Sequence, residues 1–159
     1  MISDKVSEIS LLITKSDKSA RSWNKTLTGT FSTCLSILSA TEEVLDSMQS
    51  SIEAKEITDL AKKENLNADI FGPLAFDNSV SKKSAAIKGI KNVVAGEADV
   101  LLVPNVETGN GLVKMMIYFM GACAAGVVVG GKVPVVITSR SDDATARLAS
   151  IAAAVVALD

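Results

Sequence analysis

The chain has 159 residues, of which 48% are hydrophobic and 21% charged, with a formal net charge of −2 and no histidine. That length suffices for one domain burying about 70% of its extended-chain surface, and the balance is that of a soluble globular protein rather than a disordered one. Excluded are the clustered basic excess that nucleic acid demands, the zinc spacings that join cysteine to histidine, and the commonest general base.

Residues 1–34 are rich in Ser, Thr and Lys, with scattered apolar positions such as Ile9, Leu11, Leu12 and Ile13. They form an atypical segment with no assigned structure, set apart from a domain over residues 35–159. Leu35–Leu38 predicts a strand. Ser39 with Glu42 three residues on is a capping-box signal for a helix through Met48, and Ser50 with Glu53 is a second such signal, opening Ile52–Lys63 with Ile57, Leu60 and Ala61 on one face. Ala68–Phe71 reads as a strand and Ser81–Lys91 as a helix with Ala86, Ile87 and Ile90 inward. Val100–Val103 reads as a strand stopped by Pro104. Leu112–Ala125 follows as a helix, Val127–Val129 and Val133–Thr138 as strands, and Asp142–Leu158 as a helix with Leu148, Ile151, Ala152 and Val155 at i, i+3, i+4, i+7. Short Val/Ile/Leu runs alternating with helices indicate an α/β fold, a three-layer, mostly parallel sheet with helices on both faces.

Cys34 and Cys123 are expected to be packed thiols, because free cysteine is among the most buried residue types. The charged N-terminus leads into no signal-type apolar core, so the expected location is cytoplasmic. Met115–Gly131 carries no charge but is broken by Gly121, Gly126 and the Gly130-Gly131 pair, which favours a buried helix followed by a buried strand over a membrane span.

Three stretches, Ile70–Asn78, Val100–Lys114 and Val135–Asp143, each read as a buried strand, a polar turn and a helix. A helix fed by such a strand exposes the unpaired N–H groups of its first turn, which together with the helix dipole attract phosphate and other anions. Open parallel sheets bind ligands outside the carboxyl ends of their strands, where these turns lie. In Thr138-Ser139-Arg140-Ser141-Asp142-Asp143, the hydroxyls and the guanidinium can hold phosphate while Ser139 donates to a developing oxyanion. The alternative is that Ser139 or Ser141 caps the helix, Asp142 and Asp143 complement its dipole, and Arg140 is solvated. Arg140 is the residue this alternative leaves unexplained, since a cation at a helix N-terminus opposes the dipole and asks for an anion as partner. Asn105, Glu107, Gly109 and Asn110 belong to a long βα turn with Lys114 one turn into the helix. Its alternative is a plain Asn/Gly turn with Asn110 as N-cap. Asp77 and Asn78 are the polar end of a third, mostly apolar turn. Gly126–Lys132 has phosphate-loop glycines, but Val133 stands where Ser or Thr must hold magnesium, and a strand follows instead of a helix, so it is rejected.

GPLAFDN at Gly72–Asn78, ADVLLVPNVETGN at Ala98–Asn110, Lys114 and VPVVITSRSDDA at Val133–Ala144 resemble the phosphate acetyl/butyryltransferase family, most closely its phosphate butyryltransferase branch. The resemblance runs from about Leu38 to about Leu158 and covers the second of that family's two α/β domains. It implies transfer of an acyl group between coenzyme A and inorganic phosphate, with acyl-CoA and phosphate as substrates, no metal, and no nucleic-acid or membrane partner. Ser139 would stabilise the tetrahedral intermediate and Arg140 would bind phosphate. Thr138, the Asn105–Asn110 turn, Lys114, Asp77 and Asn78 would line the cleft. The family's thiol-deprotonating aspartate falls where this chain has Ala144, Thr145, Ala146 and Arg147, and Asp142 or Asp143 is the nearest substitute. Residues 1–34 do not resemble the first domain; an aberrant start, a truncation product or a shifted frame is the expectation for them. A homo-oligomer is expected. The rival expectation is a non-catalytic truncated remnant that keeps the fold and an oligomer interface.

Overall fold

The computed structural model describes residues 33–128 and 131–157 together with the backbone of residues 10–13. The chain divides into two compact units, Met1–Gly109 and Asn110–Asp159.

The first unit is built on a four-stranded sheet of order β1-β4-β2-β3, with β1 Ser10–Ile13, β2 Cys34–Leu38, β3 Asp69–Leu74 and β4 Val100–Val103. β2 pairs in parallel with both β3 and β4, while β1 runs antiparallel along β4. Apart from β1, the rest of the 1–34 segment before Thr33 lies outside the described residues.

Strand alternation builds two cores on opposite faces of this sheet. Leu35 and Ile37 of β2, Ile70 of β3 and Leu102 of β4 pack with Ala54 and Ile57 of helix α1, Gln49–Lys63. Cys34, Phe71 and Leu74 pack on the other face with Ala85, Ile90, Val94 and Ala95. Ala85 belongs to the second of two short helices, α2 Phe76–Val80 and α3 Lys82–Ile87. The expected layered α/β arrangement is present here, and Leu35–Leu38 and Val100–Val103 are strands as predicted. Close approach of the sheet residues requires glycine at one point: a Cβ on Gly72 would lie 2.6 Å from the Ile37 carbonyl oxygen and 2.7 Å from its Cβ.

Several helix limits differ from the sequence reading. Ser39–Met48 is an irregular connection, not a helix, because Ser39 is committed elsewhere. Its N–H extends the sheet by bonding the Leu74 carbonyl at 2.9 Å, and its hydroxyl reaches Ser50 at 3.0 Å and the Met48 sulfur at 3.3 Å. α1 therefore starts at Gln49 with Met48 as an N-cap whose side chain makes no capping bond, and Ser50 sits inside the helix. Ser81 does cap α3, accepting from the Ser84 N–H at 3.3 Å. That helix ends at Ile87, which is 76% exposed, and the inward residue is Ala85 rather than Ala86 or Ile87.

The fourth helix, α4 Val106–Met120, starts six residues earlier than Leu112 and ends five before Ala125. Gly121 stops it in the left-handed region at φ 65°, where the Ala122 N–H turns back to the Met116 carbonyl at 3.0 Å. Tyr118, Phe119 and Met120 are exposed, Phe119 by 87%, so the last turn is not the buried helix expected. In the second unit Val133–Thr138 is not a strand. Pro134 offers no N–H, and pairing is confined to a single bridge between Val128 and Val135. Val129 of the expected Val127–Val129 strand, like Gly130, lies outside the described residues. The last helix, α5 Ala144–Val156, buries Ser150 and Ala154 and exposes Leu148, Ile151, Ala152 and Val155, the face expected to be inward. Ser150 accepts the Gly126 N–H at 3.0 Å and donates to the Ala146 carbonyl at 2.9 Å, which fixes this rotation. Cys34 is half-buried, and burial, with Asp99 and Asp69 nearby, raises its thiol pKa. Cys123 is exposed, contrary to the expectation of a packed thiol. Among the described residues no helix is long and apolar enough to cross a membrane.

Candidate functional site

In the first unit, the connections leaving the carboxyl ends of β2, β3 and β4 are Ser39–Met48, the turn into α2 and the turn into α4. This is the edge at which parallel sheets take ligands. Asp77 is exposed at the start of α2, and its carboxylate accepts from the Ser84 hydroxyl, with Lys88 Nζ at 3.9 Å. The Ser84 bond, then the Lys88 charge, hold the Asp77 pKa below the ordinary carboxylate value. Its neighbour Asn78 is fully buried, so its side chain is not on the surface of the cleft. Asn78 Nδ2 donates to Glu42 Oε2 at 3.0 Å, and Lys88 Nζ donates to the same oxygen at 3.0 Å. Lys88 above all, with Asn78 assisting, lowers the Glu42 pKa. Glu42 and Lys88 escaped the sequence reading because they come from separate connections and meet only through the fold.

Asn105 is an N-cap, not a member of a long turn. Its Oδ1 accepts from the Thr108 N–H at 2.8 Å and the Thr108 hydroxyl at 2.7 Å, and its carbonyl accepts the Gly109 N–H at 3.2 Å. Glu107, Gly109 and Asn110 therefore lie in the first turns of α4, with Glu107 placed to complement the dipole and Gly109 buried. Asn110 does not cap the helix. The Asn-x-x-Thr pattern at 105–108 was the available signal, masked by the glycines that follow it.

Lys114 enters the second unit, where a cavity of about 340 Å³ is lined by Lys114, Ile117, Tyr118, Cys123, Ser141 and Asp142, with Asp143 and Thr145 also on its wall. The fold thus brings the Lys114 helix and the Ser139–Asp143 turn to one opening. That turn is tight. Asp142 N–H bonds the Ser139 carbonyl at 3.1 Å, Asp142 Oδ2 accepts the Ser139 N–H at 2.7 Å, and the Ser139 and Ser141 hydroxyls are 3.0 Å apart. Ser139 and Ser141 do not cap α5. Asp143 does, accepting the Ala146 N–H at 2.8 Å. Thr138, Ser139 and Arg140 are exposed one turn before the helix, and none of the three is on the cavity wall. A turn rich in hydroxyls and backbone donors, an exposed guanidinium and a lysine on the neighbouring helix are groups suited to an anionic ligand.

Comparison with known proteins gives this geometry its context. The family described as Phosphate acetyl/butaryl transferase matches residues 15–155, beginning inside the 1–34 segment. A phosphate acetyltransferase of Rhizobium meliloti is 45% identical over 121 residues, which is 76% of this chain and 38% of that protein. A probable phosphate butyryltransferase of Bacillus subtilis (strain 168) is 45% identical over 121 residues, 76% of this chain and 40% of that protein. Among solved structures, a branched-chain phosphotransacylase from Enterococcus faecalis V583 superposes with a TM-score of 0.71 at 32% identity, covering 91% of this chain and 54% of the other. The chain thus spans well under half the length of these curated relatives and about half of the solved one. With the greater part of its length matched and its fold shared, the chain belongs to the phosphate acetyl/butyryltransferase family.

Proposed function

We propose that the chain carries the catalytic half of an acyltransferase that moves an acetyl- or butyryl-type group between coenzyme A and inorganic phosphate. Family membership supports the reaction, and the cavity shared by Lys114, Ser141 and Asp142 is the observation that carries it to this chain's own residues. In this reading Arg140 binds the transferred phosphate, Ser139 donates to the oxyanion of the tetrahedral intermediate, and Thr138 supports the anion from the preceding residue. In the direction of thioester formation the coenzyme A thiolate attacks the acyl phosphate carbonyl and phosphate leaves. The thiol has an ordinary pKa near 8.5, so a base at the cavity that takes its proton, and returns it to the departing thiolate in the reverse direction, speeds the step. Asp142 is the proposed base. Lys114 and Asn110 on α4 belong to the substrate-binding set, as do Asn105, Glu107 and Gly109 at the start of α4 and Asp77 at the start of α2. Asn78 acts from behind, since it is buried.

The test is release of free thiol from butyryl-CoA and phosphate at high protein concentration. Release that is lost in Asp142→Asn and Ser139→Ala supports the proposal, and no release overturns catalysis by this chain. A second reading is favoured by the apolar face that α5 leaves exposed. In it the chain is a folded, self-associating domain without catalysis. Sedimentation combined with coenzyme A titration separates the two, because an oligomer that ignores the cofactor supports only the second.

A further inference from the structure

We infer that Glu42 and Asn78 form a positioning pair that fixes the Ser39–Glu42 turn as part of a ligand edge at the carboxyl ends of β2, β3 and β4 in the first unit, a role that rests on the acyltransferase reading. Asn78 is wholly buried, and its main chain is fixed by the Gly96 N–H on its carbonyl at 2.7 Å. Its side chain spends Nδ2 on Glu42 Oε2 at 3.0 Å and leaves Oδ1 buried with no partner. Turning the amide over would bring Oδ1 against the carboxylate, two acceptors face to face, so the orientation is forced. An orphaned acceptor is a cost that a purely apolar residue at this position would avoid. What the amide achieves instead is to reach across from α2 to a residue of the β2–α1 connection.

Glu42 is held a second time by Lys88 Nζ at 3.0 Å, and Ser39 at the start of the same turn is pinned to Leu74 and Ser50. Both ends of Ser39–Glu42 are thereby fixed, while Val44 and Leu45 beyond them are exposed. The turn stands at the carboxyl end of β2, between the strand ends that lead to Asp77 and Asn105. Preorganising a wall of that edge spares a ligand the cost of ordering it.

The experiment compares the chain with Glu42→Ala and Glu42→Gln by amide hydrogen exchange, thermal melting and calorimetric titration with coenzyme A. E42A is expected to speed exchange at residues 39–43, to weaken coenzyme A by about tenfold, and to lower the melting temperature, because the buried Asn78 Nδ2 loses its partner. E42Q retains an oxygen that accepts from Asn78 Nδ2 and is expected to recover most of all three. Unchanged exchange in E42A overturns the pairing. Faster exchange with unaltered affinity leaves a clasp that positions nothing, and E42Q as weak as E42A makes the charge the cause; either result overturns the inference while the acyltransferase reading stands. A parent chain that does not bind coenzyme A overturns both.

Discussion

Arg140 stands exposed beside a turn whose hydroxyls face one another, with no carboxylate paired to it among the salt bridges of the described residues. Replacing it with Ala is expected to weaken phosphate binding by about tenfold, the worth of a charged hydrogen bond, while the melting temperature stays within about 2 °C. Titration with phosphate and a thermal melt check both. Glu42 and Asp77 supply a pH dependence. Their pKa values are lowered in the folded chain, so their stabilisation is complete above the ordinary carboxylate value near 4 and is lost as pH falls through the lower, folded values. Urea denaturation midpoints measured from pH 6 downward should therefore fall below about pH 4, and E42Q should flatten part of that fall. Gly72→Ala meets backbone where no side chain can yield and should cost about 1–3 kcal/mol, read from the same midpoints.

The helices show which local signals prevail when several compete. Both ends of Ser139–Asp143 offer capping residues, and Asp143 takes the role because Asp142 is already bound to the Ser139 N–H. Asp143→Ala is expected to destabilise α5 by about 1 kcal/mol, seen as loss of helical circular dichroism at lower temperature, whereas Ser141→Ala should cost far less. Likewise Asn105, not Asn110, opens α4, so the polar loop expected between β4 and a helix at Leu112 is itself helix. The strand before Pro104 was legible for the opposite reason. Val100–Val103 is a short β-branched and aliphatic run that a proline closes, and no second pattern competes with it. At the candidate site, Ser141, Asp142 and Lys114 line one cavity whereas Ser139 and Arg140 are not on its wall, Asn78 is buried, and the Glu42–Lys88 link was invisible to spacing, since its partners are 46 positions apart.

Within the first unit both sheet faces are covered, and its core residues sit between β-strands and helices as a layered α/β fold requires. The second unit differs: Leu148, Ile151 and Val155 on α5 and Tyr118 and Phe119 on α4 remain exposed in this chain. Self-association through such surfaces predicts a concentration-dependent sedimentation coefficient, and Leu148→Lys with Ile151→Lys should abolish it without unfolding the first unit. A sedimentation coefficient that does not vary with concentration removes the oligomer from the proposal.

Residue order alone was enough for the strands at Leu35–Leu38 and Val100–Val103, for the absence of histidine chemistry and for the resemblance carried by GPLAFDN, PNVETGN and ITSRSDDA, because each depends on composition or on neighbours a few positions apart. Helix starts, the irregular Ser39–Met48 connection, the exposed face of α5 and the Glu42–Asn78–Lys88 contact required the folded chain. A capping oxygen, a buried face or an ion pair depends on which distant group arrives first to compete for it, and long-range packing settles that competition where periodicity cannot.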